Sequence, residues 1–93
     1  MNVFDSLTIY AGKWQVKETR KFNEVEIAAV ASAVVVDSEY GKSVCFFLNA
    51  GGQTYIPLST NSSKNIGDAI DVSQASLLTL SKKGEADIQR VEI

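Results

Sequence analysis

The residues with chemical reach in this 93-residue chain are few, and their types narrow the chemistry quickly. There is no histidine, and the one cysteine is Cys45. Nucleophilic systems that pair Ser or Cys with His therefore have no base, and neither a His-ligated metal nor a CxxC redox pair can be assembled. Gly41-Lys42-Ser43 has the ending of a phosphate-binding loop. That loop needs a glycine five residues before Gly41, where Val36 stands. Gly51-Gly52 is one turn and no dinucleotide fingerprint. Asp68, Asp71, Glu85 and Asp87 fall at turns and alternating positions, where solubility explains them without a catalytic role. Cys45 lies between Val44 and Phe46 with no neighbouring base to activate it, and reads as a small apolar residue. No catalytic residue, no metal site and no cofactor is expected.

Binding chemistry is better represented. The formal charge is −2, but it is unevenly spread. Lys13, Lys17, Arg20 and Lys21 against Glu18 give +3 within nine residues, and the remainder of the chain carries −5. The basic segment holds Trp14, the one tryptophan, and is bounded by Tyr10 and Phe22. It reads either as a basic-aromatic binding cluster or as an N-terminal segment anchored by its tryptophan with solvated charges around it. Further aromatics follow at Tyr40, Phe46, Phe47 and Tyr55. Phe46 and Phe47 are adjacent, so a strand must send them to opposite faces. With Val44, Phe46 and Leu48 inward, Phe47 points outward together with Cys45; it is then free for a ligand or covered by residues 1–30. Tyr55 shares that outer face, as a second platform or as a cross-strand packing partner. Tyr40 and Lys42 flank a hairpin turn, where Tyr40 either clasps a ligand or lids the core. Arg90 on the last strand meets a phosphate or a cross-strand acid.

These side chains need strands to present them. Trp14 to Lys17 reads as a short strand, and Asn23 followed three residues later by Glu26 is a capping-box pattern that starts a short helix over about 24–30. A continuous strand from Val25 to Val36 competes with that helix. Strands are expected at Ala33–Val36, Val44–Leu48, Gln53–Leu58, Ala69–Val72, Leu77–Leu80 and Ile88–Ile93. Turns fall at Asp37–Lys42, Asn49–Gly52, Gly67–Asp68 and Lys82–Glu85. Pro57 cannot donate to a ladder and marks an edge. The whole is one domain, mainly β: a small antiparallel five-stranded barrel with one or two short helices. The longest nearly apolar run, Ile27 to Val36, is far short of the roughly 20 residues that span a bilayer. No basic n-region precedes an apolar stretch at the N-terminus, so no signal peptide is expected.

From about Ala31 onward the order of elements resembles the OB-fold. Val34-Val35-Val36 runs through Tyr40-Gly41-Lys42 to Phe46-Phe47-Leu48, a third strand follows Gly51-Gly52, Gly67-Asp68 enters a fourth, and a last hairpin closes the barrel. The arrangement is similar to that of small phage-type single-stranded DNA-binding proteins, with residues 1–30 as an N-terminal extension and 31–93 as the OB-like barrel. The resemblance implies a non-catalytic binder of single-stranded nucleic acid, DNA rather than RNA, that stacks bases on aromatics while basic groups follow the backbone. The residues expected to carry this are Trp14, Lys17, Arg20, Lys21, Tyr40, Lys42, Phe47 and Tyr55. Without a signal peptide or a spanning run, a cytoplasmic protein (the bacterial host's cytoplasm if phage-encoded) with no membrane partner is expected. The short core, with an edge near Pro57 or at the C-terminal strand, makes a homo-oligomer the expected assembly. A small structural or protein-interaction module, such as a virion component or accessory subunit, is the alternative.

Overall fold

A computed structural model describes residues 14–60 and 62–93. Tyr10 and Lys13, which entered the reading of the basic segment, lie outside the described residues. Six strands and one helix follow in order: β1 (Gln15–Lys21), α1 (Glu24–Ala29), β2 (Val30–Ser38), β3 (Gly41–Leu48), β4 (Gln53–Pro57), β5 (Ser76–Ser81) and β6 (Ile88–Glu92). They form two three-stranded antiparallel sheets, ordered β1-β5-β6 and β2-β3-β4. The mainly β, antiparallel character expected of the sequence is present. The described strands do not close into one five-stranded barrel; a single parallel bridge, Leu58 to Val91, links the two sheets.

The helix forms where the capping pattern places it. Asn23 is extended, its side chain accepts from the Glu26 N–H at 2.8 Å, and Glu26 accepts from the Asn23 N–H at 3.0 Å. It ends at Val30, where β-branched residues begin to favour strand. Its last carbonyls are met by the β3–β4 turn: Asn49 donates through its side chain to Ala28 at 2.7 Å and through its backbone to Ala29 at 2.9 Å. The helix is thereby tied to the hairpin that carries Phe47.

Alternation along β3 sets the core. Val44 and Phe46 are buried with Ala33, Val35, Leu58 and Val91, and Phe22 brings its ring to 5.8 Å from that of Phe46. Two strand expectations meet a different outcome. Residues 15–21 are a full strand of the β1-β5-β6 sheet and hence part of the fold. Ala69–Val72 is not a strand: Ala69 makes one bridge to Val34, and a 3₁₀ turn begins at Val72. Asp71 accounts for the change, because its carboxylate accepts from the Ser73 N–H and hydroxyl and so offers the backbone a local alternative to a ladder. Gly67, Asp68 and Ile70 nevertheless hydrogen-bond along the outer edge of β2, through Val35 and Ala33.

Candidate functional site

The β2-β3-β4 sheet turns an aromatic face outward. Register places Val34, Cys45 and Tyr55 in one row and Ser32, Phe47 and Gln53 in the next. Because side chains alternate, both rows lie on the face opposite Val44 and Phe46. On that face Phe47 is 39% exposed and Tyr55 50%, whereas Cys45 beside them is buried. Phe47 is thus partly exposed; of the residues 1–30 that the sequence offers as its cover, 1–13 lie outside the described residues. Phe47 and Tyr55 are diagonal neighbours across the β3–β4 pair, roughly 7–8 Å apart at the backbone and within reach of one extended ligand.

Gln53 organises the face. Its amide donates to the Tyr55 hydroxyl, and its carbonyl accepts from the Cys45 thiol at 3.9 Å. The tyrosine hydroxyl is held while its ring stays exposed. At the far end of the sheet the β2–β3 turn presents Tyr40, 71% exposed, on a loop that closes with Gly41 at φ +87. A side chain at Gly41 would be strained there, so the turn depends on glycine. Ser38 holds the loop, donating to the Gly41 carbonyl at 3.0 Å and accepting from the Tyr40 N–H at 3.2 Å.

Tyr40 and Tyr55 both line an open cleft of about 860 Å³ between this sheet and β6. Its charged lining is Glu39, Asp87 and Arg90. Arg90 reaches back across it, donating to the Leu58 carbonyl at 3.0 Å. Asp87 was read from the sequence as an acid explained by solubility; only the fold shows that it and Glu39 border a concavity.

The basic segment is placed elsewhere. Lys17, Arg20 and Lys21 lie on β1, in the other sheet, and each has a partner within the chain. Lys17 is the additional residue of a bulge between Val16 and Glu18, and its ammonium meets Asp87 at 2.8 Å. Lys17, then Ser81, hold the Asp87 carboxyl below its ordinary range. Arg20 makes two bonds to Glu26, at 2.6 and 3.0 Å. That pairing, followed by the Asn23 backbone N–H, takes the Glu26 carboxyl down to about 2. Lys21 donates to the Gln74 carbonyl at 3.1 Å and Lys42 to the Lys64 carbonyl at 2.6 Å. Trp14 is half-buried, with the Lys82 ammonium 5.7 Å from its ring centre; Lys82 also pairs with Glu85 at 2.8 Å. The structure thus brings Tyr40, Phe47 and Tyr55 onto one sheet and its turn and places Lys17, Arg20 and Lys21 on the other, with Trp14 just before them; Lys17 alone of these meets a residue of the cleft, Asp87.

Among the described residues, no group of three or more His, Cys, Asp or Glu is placed to hold a metal ion. Among the same residues, no helix is long and apolar enough to cross a membrane. Comparison with protein-family models, with curated proteins and with solved structures finds no significant match for this chain.

Proposed function

We propose that this protein is a non-catalytic binder of single-stranded nucleic acid, DNA in the first instance, and that it stacks bases on the outer face of β3–β4. The observation that carries the reading is the set of three exposed aromatic rings, Tyr40, Phe47 and Tyr55, on one sheet and its turn. A base stacked on such a ring contributes about 1–3 kcal/mol whatever its identity, because every base has a π-face. The connectivity supports an OB-like reading of the two sheets. Counted from Ala31, β2, β3 and β4 form a meander, and the Leu58–Val91 bridge joins its third strand in parallel to β6. Residues 67–70 run along the outer edge of β2. In that fold the second and third strands, with the loops at their ends, form the oligonucleotide face. Those strands correspond to β3 and β4, and the first of those loops carries Tyr40.

The pairing of Lys17 and Arg20 with carboxylates alters the share assigned to charge. A phosphate must displace Asp87 or Glu26 before it can use either cation, so we assign the larger part of the affinity to stacking and a smaller part to charge. The same pairing favours a second reading, a protein-interaction module whose partner docks on the aromatic face. Anisotropy of a labelled oligo-dT, titrated with protein at low and at high salt, separates the two. Saturable binding with a shallow salt dependence supports the nucleic-acid reading. No binding at either salt with protein in the micromolar range supports the module.

A further inference from the structure

We propose that the outer edge of β4 pairs antiparallel with the same edge of a second copy of this chain, centred on Thr54. Hydrogen-bond alternation fixes which backbone groups are turned outward. Leu58 donates to Lys42 and Leu48 to Gly52, so the even-numbered residues Gly52, Thr54, Ile56 and Leu58 direct their backbone toward β3. Gln53, Tyr55 and Pro57 therefore direct theirs away from it. Ser59, the next in that series, donates to the Val91 carbonyl of β6 at 2.8 Å, and there the edge is closed. Beyond it the cleft holds β6 away from β4, and no backbone hydrogen bond joins Gln53 or Tyr55 to the described residues on that side.

The other edges are treated differently. The outer edge of β2 is occupied by Gly67, Asp68 and Ile70. β1, the terminal strand of its sheet, carries a bulge and the charges of Lys17, Glu18, Arg20 and Lys21, devices that discourage strand addition. β4 has neither: Gln53-Thr54-Tyr55-Ile56 is uncharged and its register with β3 is unbroken. Pro57 stops the ladder at one end, so the usable edge is short and its geometry well defined.

That edge is complementary to itself. In an antiparallel pair centred on Thr54, Gln53 of each chain stands opposite Tyr55 of the other. These are the two residues whose N–H and C=O both point outward, so the chains exchange backbone hydrogen bonds at both positions. The side chains follow suit, since the Gln53 amide that already reaches a tyrosine hydroxyl within the chain then flanks a second one. Phe47 and Tyr55 of the two copies come to lie on one continuous sheet face. A two-residue ladder is weak by itself, which suits a protein whose copies assemble along a shared strand.

Backbone amide exchange at dilute and at concentrated protein tests this without any nucleic acid, so its failure is separate from failure of the proposed function. The Gln53 and Tyr55 amides are expected to exchange freely at low concentration and to gain at least tenfold protection as protein rises into the high-micromolar range; the Thr54 amide, bonded to β3, stays protected throughout. Thr54→Lys places two like charges opposite each other only in the pair, and is expected to abolish the gain while leaving the Thr54-position amide protected. Gln53→Pro removes an outward donor that β3 does not use, and is expected to do the same. A chain that sediments as a monomer at all these concentrations overturns the proposal. So does a dimer in which the Gln53 and Tyr55 amides remain unprotected, or one that Thr54→Lys leaves intact.

Discussion

The two sheets of this small fold handle their exposed surfaces in opposite ways. In β1-β5-β6 the charged side chains are joined within the chain: Lys17 to Asp87 on the β5–β6 loop and Arg20 to Glu26 on the helix. Leu78 and Leu80 on the central strand of that sheet are fully buried. In β2-β3-β4 the outer face carries little charge and leaves Phe47 and Tyr55 in solvent. One sheet pairs its charged groups internally; the other presents partly exposed aromatic area. Exposed aromatics cost solubility and contribute little to folding, so their concentration on one sheet is the feature a function has to explain.

The sharpest version of the contrast lies within β3. Phe46→Ala is expected to destabilise the fold by about 3–5 kcal/mol, because it empties the space that Phe22, Val35 and Val44 pack around. Phe47→Ala, one residue on, is expected to cost about 1 kcal/mol or less. Urea denaturation of the two variants measures this directly. Equal costs would mean that Phe47 is a core residue and the comparison of the faces fails.

For binding the order reverses between the sheets. Phe47→Ala and Tyr55→Ala are each expected to lose about 1–3 kcal/mol of affinity for oligo-dT. Lys17→Ala and Arg20→Ala leave it nearly unchanged. Anisotropy titrations of the four folded variants read the difference. A larger loss in the lysine and arginine variants would move the site to β1.

The smallest expected effect is on pH dependence. The Glu26 carboxyl is held at about 2 against an ordinary 4.5, so the unfolded chain binds more protons than the folded one between those values. The stabilisation it provides is fully present above about 4.5 and is lost as pH falls toward about 2. Asp87, lowered by Lys17, contributes with the same sign. Glu26→Gln is therefore expected to flatten the fall in thermal stability through that window while leaving oligo-dT affinity at neutral pH unaltered. An undiminished acid slope in Glu26→Gln would mean that the Arg20 pair has no part in it.

Much of this was legible in the residues. Period-two alternation at Val44–Leu48 separates Phe46 from Phe47 without any structure, and Asn23 with Glu26 announces the helix because both halves of the capping box are local. Pro57 marks β4 as an outer strand for an equally local reason. What the sequence hides is long-range. Nothing near Lys17 points to Asp87, and the cluster that read as a binding patch is divided among partners supplied by the helix, the 3₁₀ turn and the last hairpin. Ala69–Val72 alternates as a strand does, and only the Asp71 bonds to Ser73 turn it aside. Tyr40 and Tyr55 are far apart in sequence, and their meeting at one cleft depends on how the β2–β3 turn sits over β6.

The central claim is that the aromatic face of β3–β4, and not the basic strand β1, receives a single strand. Backbone amide shift mapping during titration with oligo-dT tests it most directly. The account predicts that the changes concentrate at Tyr40, Phe47, Gln53 and Tyr55 and are small from Lys17 to Lys21. Changes centred on Lys17 to Lys21, or none anywhere at saturating oligonucleotide, would contradict it.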